Sequence, residues 1–464
     1  MTTINRADTS VVDATPPRGF RGALIRPADD RYDQARAVYN AMIDRRPALI
    51  ARCADVADVI AIVDHARESG TTLAVRGGGH NAGGLGVWDD AIVCDLAAIR
   101  GVRVDAATGR VRVAGGTTLG EMDHATHAYG LAVPAGIIAT TGVAGLALGG
   151  GLGYLSRRYG LSIDSLLSVD LVLADGSVVT ASEREHPDLF WAVRGGGGNF
   201  GVVTSFEFQG RPVHTIFGGP TLYPLERAAD VLRWWDELMA TGPDDLYGFF
   251  AFLTVPPAAP FPERLHLRRM CGVVWCWTGA SEHAEAALAP VRAFGPPALD
   301  GIAELPFPAL NGAFDALYPP GLQWYWKADF IDELPDAAIA AHVKHGARLP
   351  SIHSTMHLYP IDRAVQRVAA PDTAWAYRSS RYAQVIVGVD PDPANAPQLE
   401  RWARAYHDAL HPHSAGGAYV NMLMHDEEAD RIRTSYGGNY ERLVDVKRRY
   451  DPGNLFHVNQ NIAP

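Results

Sequence analysis

A run of residues suited to binding an anionic cofactor follows a short apolar strand that begins near Leu73. The run consists of Arg76, Gly77, Gly78, Gly79, His80 and Asn81. Glycines lack a Cβ, so their backbone can adopt positive φ and turn several N–H groups towards one anion, and a pyrophosphate suits such a nest. A histidine directly after the glycines is placed where a cofactor held by the loop would lie. The loop is therefore the first candidate site.

Two other interpretations of this loop compete with a cofactor site. A tight glycine-rich loop with an incidental histidine is common and fits the loop when it is taken alone. A nicotinamide-binding Rossmann fingerprint requires a helix directly after the glycines and an acidic residue about 20 residues further on. Here the chain returns to strand at Ala91-Ile92-Val93 instead. The Rossmann interpretation therefore fails on its context.

A second glycine-rich stretch covers residues 131–159 and is predicted to pack its backbone against something flat. Small residues let main-chain atoms approach a planar ligand and leave N–H donors unhindered. A small-residue helix packed on a sheet is the alternative, which accounts less well for the triple glycine at 149–151. From this stretch we expect cofactor contacts by Gly142, Gly145, Gly150 and Gly153.

Two further segments complete the candidate site. A third glycine cluster at 195–198 opens onto the strand VVTSFEFQ, and an extended tail near the end of the chain carries polar amides. Amides in an extended terminal segment need a partner such as a cofactor. The expected contacts are Asn199, Gly201, Val203, Asn459 and Asn461.

A metal site is not predicted. His124 and His127 lie three residues apart on a predicted helix, but no third ligand is near them, so we expect them to face solvent. Cys271 and Cys276 flank the apolar strand GVVW and therefore point to opposite faces, which is a poor arrangement for zinc. Buried thiols are the expectation for the few, scattered cysteines.

Bulk properties indicate a globular protein of two domains, because 464 residues exceed one typical core. The hydrophobic fraction is 47%, the charged fraction is 20% and the net charge is −11. No basic block stands out, so nucleic acid and anionic membranes are poor partners. No signal core or transmembrane run is present, and we expect a cytoplasmic protein with a mobile tail over residues 1–18.

The composition of the chain, and with it the predicted secondary structure, changes after Arg211-Pro212. The earlier part contains the glycine clusters, a predicted helix over 32–43 and a hairpin over 168–180. The later part, to about His413, lacks glycine clusters and is rich in aromatics, which predicts an α+β domain with helices on one side of an antiparallel sheet. Its predicted strands cover 247–254, 269–278, 323–330, 353–359 and 382–389, and its predicted helices cover 227–239, 281–293, 336–345 and 396–410, with another helix over 439–450.

Four ordered motifs carry a family resemblance. VRGGGHN, PAGI…TTGVAGLALGGGLGYLSRRYGL, LFWAVRGGGGNFGVVT and YERLVDVKRRYDPGNLFHVNQNI resemble the berberine bridge enzyme-like FAD-linked oxidases, within the vanillyl-alcohol oxidase / p-cresol methylhydroxylase (PCMH) superfamily. The resemblance implies an α+β fold with a PCMH-type FAD-binding domain of two subdomains at 19–212. It also implies an inserted substrate domain with an antiparallel sheet flanked by helices at 213–413, and a C-terminal segment at 414–464 that completes the FAD domain.

The same resemblance implies a covalent flavin. His80 matches the histidine that bonds the flavin 8α-methyl, which tethers the cofactor and makes it a stronger oxidant. Many relatives form a second link through a cysteine, but Ile138 holds that position here, so we expect a single link through His80. Thr141 matches the position that gates oxygen, and a small residue there is compatible with O2. Thr140, next to it, is expected to contact FAD.

The implied reaction is hydride transfer from a C–H bond of an alcohol or amine to flavin N5, followed by reoxidation with O2 to H2O2. The base is not transferable, because the tyrosine of the relatives' NY pair reads Met422 here. Tyr325, Tyr382 and Tyr419 are the candidates. Lys327 shares a strand face with Tyr325, with Trp324 and Trp326 opposite, and a nearby lysine would lower the tyrosine pKa.

The substrate remains open at this level. The aromatic middle domain suits a fused aromatic or a sugar ring, and a small secondary-metabolite or aromatic alcohol or amine is favoured over a carbohydrate. Two alternatives use the same cofactor differently. In one, a covalent flavoprotein dehydrogenase passes electrons to a protein or quinone. In the other, the chain is an inactive flavin-binding scaffold.

Overall fold

The computed structural model describes residues 19–464, and the tail predicted over residues 1–18 lies outside the described residues. The strands are β1 (Ala23–Ile25), β2 (Leu49–Arg52), β3 (Leu73–Arg76), β4 (Ile92–Asp95), β5 (Val102–Asp105), β6 (Arg110–Ala114), β7 (Leu131–Ala132), β8 (Leu166–Val172), β9 (Val178–Ser182), β10 (Val202–Gln209), β11 (Arg211–Pro212), β12 (Thr215–Pro224), β13 (Leu246–Thr254), β14 (Arg269–Trp277), β15 (Leu299–Asp300), β16 (Ala303–Pro306), β17 (Gln323–Ile331), β18 (Thr355–Pro360) and β19 (Tyr382–Asp390). The helices are α1 (Tyr32–Arg36), α2 (Val56–Ser69), α3 (Leu119–His127), α4 (Val143–Leu148), α5 (Ser156–Tyr159), α6 (Pro187–Val193), α7 (Ala228–Thr241), α8 (Ala284–Ala293), α9 (Phe307–Asn311), α10 (Asp336–Gly346), α11 (Ala396–Leu410), α12 (Ala429–Tyr436) and α13 (Tyr440–Tyr450).

The first sheet has the order β1-β2-β4-β3, and β2 and β3 run parallel to the central strand β4. The β4 sequence, IVCD, is buried throughout, as expected for a central parallel strand. Helix α2 begins at the Asp55 cap, whose carboxylate accepts from Asp58 N–H, and ends at Gly70 with φ of 65°. The loop between β3 and β4 carries the first glycine cluster.

The second sheet is antiparallel and has the order β5-β6-β10-β8-β9. Strands β8 and β9 form the hairpin that was predicted, and the turn contains Gly176 with φ of 83°. Such a positive φ strains residues that carry a Cβ, so glycine suits this turn. Strand β10 starts directly after the third glycine cluster, so the pairing of β10 with β6 and β8 fixes the end of that loop.

The third sheet is antiparallel, with β15-β12-β14-β13-β18-β19-β17 along its path and β16 paired to β12. Its residues alternate: Met356 and Leu358 of β18 pack with the cluster that contains α7, α10 and α11, whereas His357 lies on the opposite face. The predicted antiparallel sheet with helices on one side is thus confirmed. Because every strand lies between residues 215 and 390, the sheet falls inside the predicted substrate domain, whose boundaries stay predictions.

The C-terminal segment returns to the glycine-rich part of the chain. Helix α13 ends at Tyr450 and is followed by the cap residue Asp451. The residues after it run beside the third glycine cluster, where the Asn199 carboxamide oxygen accepts from Ile462 N–H at 3.1 Å. Among residues 19–464, no helix combines the length and apolar character needed to cross a bilayer.

The helix predicted over 32–43 is wrong beyond Arg36. The chain turns extended at Ala37, with φ −60° and ψ 138°. Tyr39 N–H then donates to Gly79 O at 3.0 Å, and Ala41 N–H donates to Leu322 O at 2.9 Å. Since distant carbonyls capture these donors, the segment forms a strap between the first glycine loop and β17 instead of another turn of helix.

Candidate active site

A cavity of about 320 Å³ lies between the glycine loops and the third sheet. Its wall brings together most of the predicted cofactor contacts, although these come from all three glycine clusters and the C-terminal segment. The predicted residues that line it are Arg76, Gly77, Gly78, Gly79, His80, Asn81, Thr141, Gly142, Gly145, Asn199, Gly201, Val203 and Asn459.

The first glycine loop presents backbone N–H groups that no other described residue uses. Within the described part of the chain, the N–H groups of Gly77, Gly78 and Gly79 donate to no acceptor. A Cβ at Gly78 would overlap the backbone of Gly142, so the two glycine loops can meet only as bare backbone. Arg76 is buried and donates to Asp95 at 2.9 Å through Nη2, while its Nη1 has no partner among residues 19–464. Free donors and a buried cation therefore share one wall.

His80 is held on three sides. Thr140 Oγ1 lies 2.9 Å from Nε2, Thr141 Oγ1 lies 3.4 Å from Nδ1, and the Tyr39 ring stacks on the imidazole at 3.9 Å with a 20° interplanar angle. Burial lowers the pKa of His80 to about 4. The imidazole is consequently neutral at physiological pH, and one of its two nitrogens carries a lone pair that accepts from a threonine hydroxyl. Tyr39 is a residue that the sequence analysis missed, because it assigned this segment to a helix.

Part of the second glycine stretch has a different role from the one expected. Gly150 and Gly153 do not line the cavity; a Cβ at Gly150 would meet Trp375 and Tyr419, and one at Gly153 would overlap the Ala135 carbonyl. Close packing inside the protein, rather than contact with a ligand, requires glycine here. Gly142 and Gly145, by contrast, do line the cavity.

The third cluster and the C-terminal tail form one edge of the cavity. Gly197, with φ of 72°, and Gly198 line it, and the Asn459 side chain donates to Gly198 O at 3.0 Å. Asn199 donates to Gly196 O at 2.8 Å, which shapes the loop from within. Asn461, predicted to contact the cofactor, does not line the cavity, and its Oδ1 is buried and finds no partner among the described residues.

Of the three candidate tyrosines, the structure brings only Tyr419 to the cavity. Gly151 N–H and the Asn421 side-chain amide donate to its hydroxyl at 2.8 and 2.7 Å. Burial raises the pKa of Tyr419 to about 12. Tyr419 therefore acts as an anchor for the triple-glycine turn.

Tyr325 and Tyr382 lie on the helix-covered face of the third sheet, where they pair with Asp426 and Asp236 at 2.9 and 2.6 Å. The expected effect of Lys327 is also wrong. Its Nζ donates to Glu427 at 2.5 Å, and burial, together with the nearby Asp426 carboxylate, raises the pKa of Tyr325. Neither tyrosine is positioned to touch a molecule in the cavity.

The sheet wall of the cavity contains residues that the sequence analysis did not select. Trp324 and Trp326 of β17 line it, as their alternation with Tyr325 implies. Their indole N–H groups have no partner in the part of the chain that the structure describes. His357 and Tyr359 of β18 line it too and are joined by a 2.5 Å hydrogen bond. The sequence shows that apolar and polar residues alternate around His357. It does not show which face of strand β18 lines the cavity, because that depends on how the sheet packs.

One group of potential metal ligands exists among the described residues, away from the cavity. Asp329, His407 and His411 offer three ligand atoms within 4.8 Å of one another. Arg431 donates to the same Asp329 carboxylate at 2.5 Å, so this charge already has a cationic partner. We treat the group as an ion-pair cluster between β17, α11 and α12.

Comparisons with known proteins match this architecture. A model described as FAD binding domain matches residues 47–182, and a model described as berberine and berberine like matches residues 418–463. The (R)-6-hydroxynicotine oxidase of Paenarthrobacter nicotinovorans is 30% identical, covering 97% of this chain and 98% of its own length. An uncharacterised FAD-linked oxidoreductase of Bacillus subtilis is also 30% identical, covering 96% and 97%. The crystal structure of 6-hydroxy-D-nicotine oxidase from Arthrobacter nicotinovorans superposes with a TM-score of 0.85 at 28% identity, covering 97% of this chain and 99% of that one.

Proposed function

Because this chain belongs to the berberine bridge enzyme-like family of FAD-dependent oxidoreductases, we propose that it is an oxidase with FAD bound covalently to His80. The proposed substrate is a small alcohol or amine, and O2 is the proposed electron acceptor. The observation that carries this proposal is one cavity that joins free glycine N–H donors and a neutral histidine to an aromatic sheet wall.

The residues of the cavity fit FAD in kind and position. We assign the N–H groups of Gly77, Gly78 and Gly79, with the unpartnered Nη1 of Arg76, to the anionic part of the cofactor. The helix α4 contributes Gly145, where a Cβ would meet nothing within 4 Å, so the space beside it is open to a flat group. Asn459 and Gly198, joined by a 3.0 Å hydrogen bond, also line the cavity.

His80 supplies the attachment point. A neutral imidazole is nucleophilic, and burial keeps His80 neutral, with its pKa at about 4. Thr140 and Thr141 hydrogen-bond the two ring nitrogens and fix the ring plane. All four cysteines are buried and none lines the cavity, while Ile138 holds the position of the second link in relatives. A single covalent bond is therefore the proposal.

Bound FAD supplies a two-electron acceptor for a substrate C–H bond and returns the electrons to O2 as H2O2. The protein contributes the remaining tasks. Trp324 and Trp326 provide flat apolar surface that orients a substrate, and such positioning lowers the barrier by holding the reacting atoms close. Thr141, small and on the cavity wall, leaves room for O2.

The covalent link is tested by denaturation. We expect the purified protein to be yellow and the colour to stay with the acid-precipitated pellet, whereas His80→Ala should release all flavin to the supernatant. His124→Ala, at an exposed histidine of α3, is the matched control and should keep a yellow pellet. A pellet that stays yellow in His80→Ala would disprove the assignment of the link.

Oxygen use is tested separately from the link. The protein is photoreduced without oxygen, mixed with air, and assayed for peroxide by a coupled peroxidase. Rapid return of the oxidised spectrum with one peroxide per flavin supports an oxidase, and Thr141→Leu should slow that return. A reduced flavin that persists in air, yet is oxidised by a quinone, would favour the dehydrogenase alternative instead.

A further inference from the structure

The substrate end of the cavity carries no formal charge. Among the described residues that line the cavity, Arg76 is the only one of the Asp, Glu, Lys and Arg type, and it belongs to the glycine side, paired with Asp95. The sheet side consists of aromatic, aliphatic and neutral polar side chains, which include Trp324, Trp326, Thr355, His357, Tyr359 and Val385. A charged group placed there would be desolvated without a counter-charge.

The indole N–H groups of this wall can only donate, so its capacity to accept a proton is concentrated in one histidine–tyrosine pair. Thr355 is already committed, because its hydroxyl donates to Phe252 O at 2.7 Å. His357 Nδ1 lies 2.5 Å from the Tyr359 hydroxyl, and the Phe249 ring backs both residues at centroid distances of 5.0 and 5.1 Å. In the described part of the chain, His357 Nε2 has no hydrogen-bond partner. One imidazole nitrogen, fixed from behind, is thus open to the cavity.

On the basis of the proposed function, we propose that His357 is the proton acceptor of the reaction and that the substrate is an uncharged aromatic alcohol or amine. In this arrangement Nδ1–H donates to the Tyr359 oxygen, which leaves the Nε2 lone pair directed at the substrate O–H or N–H. Tyr359 acts through His357 and is a positioning residue.

The proposed step balances in atoms and electrons. The substrate C–H bond breaks and its hydrogen leaves with the electron pair to FAD, while the O–H or N–H bond breaks and its proton passes to His357 Nε2. A C=O or C=N bond forms, so the substrate loses two electrons and FAD gains them. The proton on the imidazolium then passes to solvent or to the peroxide formed from O2, which restores neutral His357.

The surroundings of His357 predict a pH-independent step. Burial lowers the pKa of His357 to about 3 and raises that of Tyr359. The neighbouring strands present Ala251 of β13 and Val385 of β19 opposite His357. Three further titratable groups of the described residues interact electrostatically with Tyr359, and burial raises the pKa of each: Tyr154, Tyr247 and Tyr318. None of these groups changes charge between about pH 5 and pH 9.

The first test measures binding to the flavin-loaded protein through the change in its visible spectrum. The probes are 4-methoxybenzyl alcohol, its methyl ether, 4-methoxybenzoate, 4-methoxybenzylammonium and xylobiose. We expect the alcohol to bind at least about tenfold more tightly than the two ions and the sugar, and about fivefold more tightly than the ether, which cannot donate to Nε2. The proposal would be overturned if the alcohol and the ether bound equally well, or if an ion or the sugar bound more tightly than the alcohol. It would also be overturned if a yellow protein gave no spectral response to the alcohol.

The second test uses a matched pair of variants. His342 is also buried, with Nδ1 3.0 Å from the Tyr406 hydroxyl and its pKa lowered by burial to about 3, but it lies in the helical layer. His357→Gln should abolish the preference for alcohol over ether. It should also slow anaerobic flavin reduction, by an alcohol or amine that the wild-type protein oxidises, at least about 100-fold. His342→Gln should retain both properties.

Tyr359→Phe gives an independent measurement if His357→Gln folds poorly. This variant should still bind the alcohol, but its rate of flavin reduction should fall about tenfold, because the imidazole loses its hydrogen bond to the Tyr359 hydroxyl. The solvent isotope effect on that rate should also change. Wild-type reduction rates in His357→Gln would overturn the proton-acceptor role. A wild-type protein without flavin would instead refute the proposed function, so the two failures are distinguishable.

Discussion

Tyr39 is the residue whose single ring connects the attachment point to the sheet wall. It stacks on His80 at 3.9 Å and lies 5.2 Å from the Trp324 ring, and its hydroxyl donates to Tyr318 O at 2.6 Å. Stacking of an aromatic ring on an imidazole fixes the orientation of the imidazole plane. The stacking stabilises this orientation by about 1 kcal/mol, in addition to the contribution from buried surface area. The stack therefore bears directly on how well His80 is presented for bond formation.

We expect Tyr39→Leu to slow covalent flavin incorporation about fivefold, since about 1 kcal/mol of ring orientation is lost. Tyr39→Phe keeps the ring and should incorporate flavin at the wild-type rate despite losing the bond to Tyr318 O. The measurement is the flavin absorbance of the denatured, washed pellet as a function of incubation time with FAD. Equal rates for the leucine and phenylalanine variants would show that stacking does not orient His80.

At the scale of elements, a buried ion-pair cluster joins β17 to α11 and α12. Asp329 is fully buried and contacts His407, His411 and Arg431 at 3.1, 3.2 and 2.5 Å. Burial opposes the charge on Asp329, but the contacts from His407 and His411 and the Arg431 charge prevail and hold the pKa of Asp329 at about 2. The hydrogen bond to Asp329 raises the pKa of His411.

This cluster should make stability depend on pH in both directions. The folded pKa of Asp329 lies below its usual 3.8, so its contribution is present above about pH 4 and is lost as pH falls towards 2. The His411 pKa is raised above its usual 6.5, so its contribution is complete below about pH 6 and is lost as pH rises. In urea unfolding, the free energy of unfolding of Asp329→Asn should be about 3 kcal/mol lower than that of the wild-type protein near pH 5.5. The difference should be smaller at pH 3 and at pH 9. A pH-independent difference would contradict the assignment.

Helix α13 fixes the C-terminal tail through another buried pair. Lys447 donates to Asn199 O at 2.7 Å, to Asp451 at 2.6 Å and to Phe456 O at 3.1 Å. Lys447→Met leaves the buried Asp451 charge without its cation. The free energy of unfolding, measured with urea, should therefore fall by about 3 kcal/mol, and the variant should retain flavin less well. Arg448→Met removes an exposed pair on the next residue and should change stability by less than about 0.5 kcal/mol. Similar losses in both variants would show that burial of the pair is unimportant.

The sequence predicted elements well where local pattern determined them. Helix 396–410 has the predicted bounds, and strand 323–330 extends by one residue to Ile331, because apolar periodicity and turn residues mark their ends. Strand β12 was missed, since Gly218-Gly219-Pro220 interrupts its alternation. The glycine loops were identified from their composition. Tyr39 and His357 were not, because their placement depends on contacts with residues hundreds of positions away and on sheet packing.

At the scale of the whole molecule, two buried arginines tie the glycine-rich part to the sheet-containing part. Arg157, in α5, is fully buried, donates to Leu246 O and Met239 O at 2.8 and 2.5 Å, and pairs with Asp362 at 3.1 Å. Arg378 makes a two-pronged pair with Asp164, with both bonds at 2.8 Å. Because the cavity lies between these two parts, their relative position sets the distance from the glycine loops to the β18 wall.

We therefore expect the two parts to unfold together, and Arg157→Met to uncouple them. The substitution leaves Leu246 O and Met239 O without their donor and removes the nearer cation of the Asp362 carboxylate, which should lower the free energy of unfolding by about 4 kcal/mol. Differential scanning calorimetry of the wild-type protein should give one transition, and the variant should give two, with flavin fluorescence rising at the first as the cavity opens. Arg110→Met, at an exposed pair with Glu207, should keep the single transition. One cooperative transition in Arg157→Met at the wild-type temperature would show that this arginine does not couple the two parts.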